Sequence, residues 1–296
     1  PFIVVSDETA KYVKVSLSQL DLDNFLANIF NFNKQVSATA LAGPSADIDT
    51  CYEDIVPMVV CGDPAQSSNN YGLAHNSLNL MKIGSNGNSP IGPGNFQLLR
   101  LGESTGAADI RDAMAGDTSA GVFCLSSPSG TTQTVDTEPG NTVGPVAQGL
   151  NTRMGIWQGP VNATDHLRDN NICQGETIAL NAAGDGLEAS AASKSYIFDE
   201  YIADTALNSV GAMDDYVCNS DNTIAVNNNS SNIVDESSTA KLGRRMLQVI
   251  IADCNGETNG ANTLDFLDIG CFFLTQEVGH SGPESYVIGE FIDFAS

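Results

Sequence analysis

Long apolar runs, paired cysteines and basic residues are what this sequence has least of. No stretch of 18 apolar residues occurs, so no segment reads as a membrane-spanning helix. There is no Cys-x-x-Cys pair, and none of the three histidines lies near a cysteine in the chain, so the spacing of a structural zinc site is missing. Lysine and arginine number only 12 against 36 acidic residues, giving a net charge of -24. A field of that sign repels polyphosphate and anionic membrane surfaces, which argues against nucleic acid as a partner. The chain opens at Pro1 without an initiator Met or a signal peptide. That opening suggests a mature or trimmed segment, with any membrane anchor or export signal upstream of Pro1.

What is present is enough to fold. The 296 residues are 42% hydrophobic, sufficient to bury a sizeable core. Seven cysteines are spread through the chain. Cys51 and Cys61 bracket one loop, Cys254 and Cys271 another, and Cys124, Cys173 and Cys218 sit in segments rich in Gly, Ser and Asn. We read an oxidising compartment with two or three disulfides that include Cys51, Cys61, Cys254, Cys271 and two of the other three. Each would stabilise its loop by about 2 to 4 kcal/mol. One cysteine is left over, as a free thiol or a link to another chain.

Periodicity predicts an α+β protein. Residues 12 to 18 alternate as a strand, Leu22, Phe25, Leu26, Ile29 and Phe30 recur at helical spacing, and residues 34 to 41 alternate again, so the opening reads as a β-α-β unit. Residues 55 to 60 form a short apolar strand that Pro57 places at a sheet edge. A strand over 96 to 101 and a helix over 107 to 115, with Ile110, Ala113 and Met114 on one side, follow an irregular region. Residues 245 to 252, 266 to 275 and 285 to 294 read as three strands of an antiparallel sheet shared with the N-terminal strands. The whole, 1 to 296, suggests one elaborated domain, with 160 to 240 as an insertion.

Turn formers are concentrated between Val135 and Arg153. Pro139, Gly140, Asn141, Gly144 and Pro145 predict a backbone set by local sequence, and Pro93, Gly94 and Asn95 repeat the theme earlier.

Enzymatic signals are sparse. Gly102-Glu103-Ser104-Thr105-Gly106 matches Gly-x-Ser-x-Gly between a strand and a helix, the setting of a nucleophile elbow. In that alternative, a secreted esterase-like serine hydrolase, Ser104 is the nucleophile and His280 its base. Several parallel strands should precede such an elbow, and one β-α-β unit does. His75, His166 and His280 read as loop histidines. The acidic runs Asp214-Asp215, Asp221 and Asp253 to Glu257 lack the loop spacing of a calcium site, so no metal or other cofactor is expected and calcium is kept only as an alternative. Asn162 and Asn228 open glycosylation sequons.

Cys51-Tyr-Glu-Asp-Ile-Val-Pro-Met-Val-Val-Cys61, Gly92-Pro-Gly-Asn-Phe96, Thr137-Glu-Pro-Gly-Asn-Thr-Val-Gly-Pro145 and Gly149-Leu-Asn-Thr-Arg153 resemble, in order, the C-terminal region of TadG-like proteins. The ending, with Val249 to Cys254, Phe272-Phe273-Leu274 and Ile288-Gly-Glu-Phe291, is similar too. These are proteins of the Flp (tight adherence) pilus-assembly system of bacteria. The resemblance implies an exported, non-enzymatic envelope protein with no catalytic residues to carry over. It would contribute to pilus assembly or surface attachment with other pilus or envelope proteins, or with further copies of itself, outside the cytoplasm at the cell surface or in the periplasm. Relatives are anchored by an N-terminal transmembrane helix; neither that helix nor a von Willebrand-type adhesion domain is recognisable within these residues.

Overall fold

The computed structural model describes residues 13–21, 35–42, 50–85, 87, 89–101, 106–117, 120–125, 132–208, 240–255 and 260–295. The helix expected at 22 to 30, Pro1 to Val5, Ser104, Asp214, Asp215, Asp221, Cys218, Asn228 and Glu257 lie outside these residues. The protein is α+β. It divides into two compact units, 1 to 48 and 49 to 296.

In the first unit β1 (Val13–Asp21) and β2 (Gln35–Ala42) pair with each other, antiparallel, in a two-stranded ladder of their own. The strands expected from alternation are there, but their pairing is antiparallel and they do not join the large sheet. Ser16 faces Thr39, their hydroxyls 3.3 Å apart, and Val15 stands 41% exposed.

The second unit is built on seven strands: β4 (Ile55–Gly62), β5 (Leu78–Lys82), β6 (Asn95–Arg100), β8 (Thr134–Pro139), β11 (Met246–Asp253), β12 (Thr263–Leu274) and β13 (Val287–Phe294). Short strands β3 (Thr50–Tyr52) and β7 (Phe123–Leu125) pair separately, as do β9 (Arg168–Asp169) and β10 (Ala240–Lys241). Five of the seven close on themselves. β11 runs parallel to β4 and antiparallel to β12, the first residues of β12 pair with β8, β8 pairs with β6, and β6 returns to β4 through Leu98 opposite Met58. The length of β12 makes this possible, because its second half, Gly270 to Leu274, is free to pair with β13 on the edge that β8 has left.

The period of two along each strand sorts the side chains into two cores. Ile55 and Val59 of β4, Leu99 of β6, Val135 of β8, Ile250 and Ala252 of β11, and Leu264 and Ile269 of β12 form one buried cluster, to which all five ring strands contribute. Their neighbours Val56, Met58, Val60, Val249 and Ile251 face the other way, against two helices. Those are α1 (Ala107–Met114), burying the expected Ile110, Ala113 and Met114, and α2 (Val143–Thr152), burying Val146, Ala147 and Leu150. Two more helices, α3 (Ala191–Lys194) and α4 (Phe198–Asn208), follow β9.

Two expectations are corrected. β4 is not an edge strand: β11 and β6 flank it. It tolerates Pro57 because its register against β11 jumps from Val56 opposite Val249 to Val59 opposite Ile250, so the proline falls in a bulge where no ladder hydrogen bond is required of it. Within the segment from 160, Cys173, Tyr196 and Tyr201 pack on Phe273 of β12. Gly144 and Pro145, expected in a turn, lie in the first turn of α2, where a proline has no helical hydrogen bond to lose.

The disulfides do not follow the local brackets. Cys51 joins Cys124, its partner across the β3–β7 ladder, and Cys61 joins Cys254, just past the end of β11 beside β4. The sheet forbids the brackets. Cys271 pairs in register with Gln248, six residues and so roughly 20 Å along the strand from Cys254. Cys271 is a free thiol, and Cys173 is disulfide-bonded.

Candidate functional site

The two Pro-Gly-Asn segments meet in space. Asn95 pairs with Pro139 across β6 and β8, and the Gly140 N–H donates to the Gly94 carbonyl at 3.1 Å. Gly94 (φ 86°) and Gly140 (φ 103°) both take left-handed conformations that a side chain would strain. This contact aims Asn141 inward, at the end of β5.

There it meets Lys82, which is fully buried. The Lys82 Nζ donates to Asn141 Oδ1 at 2.6 Å, to the Ser285 carbonyl at 2.7 Å and to the Ile83 carbonyl at 3.1 Å. Ser285 Oγ lies 3.3 Å from the same nitrogen and donates to Asn141 Oδ1 at 3.2 Å or to the Gly282 carbonyl at 2.9 Å. The Phe96 ring stands 5.7 Å from the amine. Among the described residues no carboxylate pairs with Lys82, and burial lowers its pKa to about 7.

A second polar centre lies where the loop after α2 passes the ends of β11 and β12. Arg245 is fully buried and spends its guanidinium on backbone carbonyls: Leu274 at 2.9 Å, Cys173 at 2.6 Å, Thr275 at 3.0 Å and Asn171 at 3.1 Å. Asp169 accepts from the Arg245 N–H at 2.8 Å, the Asn171 N–H at 2.9 Å and the Tyr201 hydroxyl at 3.0 Å. Burial raises the Asp169 pKa, and these donors oppose the rise. Arg153 binds the Met114 and Arg244 carbonyls at 2.9 and 2.7 Å and pairs with Asp54 at 3.6 Å; burial brings its pKa down to about 10, still charged at neutral pH. Arg244 donates to the Leu167 and Ala115 carbonyls. The three arginines tie the ends of α1, α2, β11 and β12 and the 167–173 loop together, using the five-donor fork that lysine lacks.

A cleft of about 600 Å³ opens beside these groups, lined by Gln174, Thr177, Asn181, Gln276, Glu284 and Tyr286 among others. Most of its polar atoms hold its own walls. Gln276 Oε1 accepts from the Ile178 N–H at 2.8 Å, Gln174 Oε1 from the Glu277 N–H at 2.8 Å, and the Tyr286 hydroxyl donates to the Ile178 carbonyl at 2.6 Å. His280 is exposed at the loop that follows β12, its Nε2 3.4 Å from the Asn151 side-chain nitrogen. His75 is exposed and His166 half-buried. Ser104 lies outside the described residues, so the hydrolase pair cannot be placed together. No group of three or more metal-ligating side chains occurs among the described residues.

Sequence reasoning missed Lys82, Arg153, Arg244 and Arg245. The signal was there for two of them: Lys82 interrupts the run in which Leu78, Leu80, Met81 and Ile83 recur, and Arg245 immediately precedes the apolar strand β11, positions at which a charge has to be paired or neutralised. Comparison with known proteins found no matching family model, no matching curated protein and no matching solved structure.

Proposed function

We propose that this is an exported, non-enzymatic structural protein that works by assembly in a bacterial surface appendage, as the resemblance to TadG-like pilus-assembly proteins implies. The observation that carries the reading is the pair of long-range disulfides. They join residues 73 and 193 positions apart, Cys51–Cys124 across the separate β3–β7 ladder and Cys61–Cys254 between β4 and the end of β11 in the closed sheet, a bonding pattern suited to an oxidising compartment. The buried arginines serve the same end, their guanidiniums donating to backbone carbonyls of separate elements. The periplasm or the cell surface is the location that follows. Its partners are other pilus or envelope proteins and further copies of itself. It needs no cofactor, and its charge turns nucleic acid away.

Self-association works through the β1–β2 ladder. Each of these strands has one partner among the described residues, and an edge left unpaired is a template for a further strand, whereas β13 has β12 on one side and, over Val287 to Glu290, β5 on the other. Light scattering coupled to size-exclusion chromatography tests this on the oxidised protein at native salt. Particle mass should climb with concentration and fall back in Val15→Lys; a monomer at every concentration overturns the assembly reading.

A further inference from the structure

The Lys82 amine and the Asn141 carboxamide are placed for a reaction with each other. They come from distant parts of the chain, the end of β5 and the turn between β8 and α2, and nothing separates them. With Nζ at 2.6 Å from Oδ1 and a C=O bond of about 1.2 Å, Nζ lies no more than roughly 3.8 Å from Cγ, within reach of a near-attack approach. Asn141 Nδ2 makes no hydrogen bond to a described residue, so no contact holds the leaving group in place. We propose that Lys82 and Asn141 condense into an intramolecular isopeptide bond that cross-links β5 to the β8–α2 turn.

The chemistry balances without an oxidant or a cofactor. A neutral Lys82 amine adds through its lone pair to Asn141 Cγ, forming the Nζ–Cγ bond and placing negative charge on Oδ1. Ser285 Oγ, 3.2 Å from Oδ1, is the donor that stabilises this charge. A proton leaves Nζ and reaches Nδ2, with Ser285 Oγ at 3.3 Å from Nζ as one carrier and solvent at the half-exposed Asn141 as the other. The Cγ–Nδ2 bond breaks and ammonia departs. Dilution of ammonia into solvent makes the step one-way. Desolvation, with no carboxylate beside Lys82 among the described residues, keeps a share of the amine neutral near pH 7, the form a lysine nucleophile requires.

Intact mass spectrometry of the folded full-length chain, denatured and reduced before injection, tests this directly. The mass should fall short of the sequence value by one ammonia, about 17 Da. A tryptic map should leave the bond after Lys82 uncut and join its peptide to the one containing Asn141. Lys82→Arg and Asn141→Ala should each restore the full sequence mass. Should either variant fail to fold, the wild-type map still decides. Full mass, or an ammonia deficit in a protein that trypsin still cuts after Lys82, overturns the proposal.

Discussion

The guanidinium carbon of Arg245 lies 4.4 Å from the centroid of the Phe273 ring, and Tyr196 and Tyr201 stand at 5.4 and 5.8 Å. The residue is thus enclosed by aromatic rings, with four backbone carbonyls accepting from its guanidinium. Leaving four carbonyls unpaired should be costly. Arg245→Met is expected to destabilise the protein by about 3 to 5 kcal/mol in urea unfolding, and Arg245→Lys should recover little of it, because an ammonium cannot reach four carbonyls at once.

Non-reducing peptide mapping should find Cys51 linked to Cys124 and Cys61 linked to Cys254. Closing a loop of 193 residues removes the most chain entropy, so Cys61→Ser with Cys254→Ser should cost about 4 to 5 kcal/mol as an upper figure. Recovery of a Cys51–Cys61 peptide would refute the register of β4.

Glu290 is buried on β13, its Oε2 accepting from the Phe198 N–H at 2.6 Å. Burial raises its pKa above that of the unfolded chain. A raised carboxyl contributes stability at low pH that is lost as pH climbs through the folded value. Melting temperature should therefore rise on mild acidification from neutrality, and Glu290→Gln should shrink that rise while stabilising the protein at pH 7. An unchanged pH profile in Glu290→Gln would count against this account.

Gly149 lies where α1 and α2 cross. A Cβ there would meet the Arg111 carbonyl and stand 2.5 Å from Met114 Cβ. Gly149→Ala should cost about 1 to 3 kcal/mol by forcing the helices apart, although alanine is the better helix former. Calorimetry that shows stabilisation would mean that the helices separate freely.

A fluorophosphonate probe should leave the folded protein unlabelled. Labelling that is lost in Ser104→Ala would replace the structural reading with the serine hydrolase.

Much of the sheet was legible. The strands at 245, 266 and 285 and the helix at 107 appear within a few residues of the sequence-based boundaries, because an alternating or helical apolar pattern is a local property. The helix α2 was hidden by its own punctuation: Gly144, Pro145 and Gly149 read as turns, yet the prolyl nitrogen needs no helical acceptor in the first turn, and Gly149 serves a close crossing that only the neighbouring helix reveals. Of the candidate site, Asn141 was singled out for its backbone. Its meeting with Lys82 spans 59 residues, and no periodicity reports it.

By itself the amino-acid sequence determined the class of the fold, the positions of most strands, the acidic surface and the presence of cysteines enough for several bridges. These depend on composition and on neighbours within a few residues. Only the tertiary structure decided which strands pair, that five of them close into a ring, which cysteines meet and where the buried cations find acceptors. Strand partners and cross-links are set by which apolar faces can be buried together, and that choice is made by the whole chain at once.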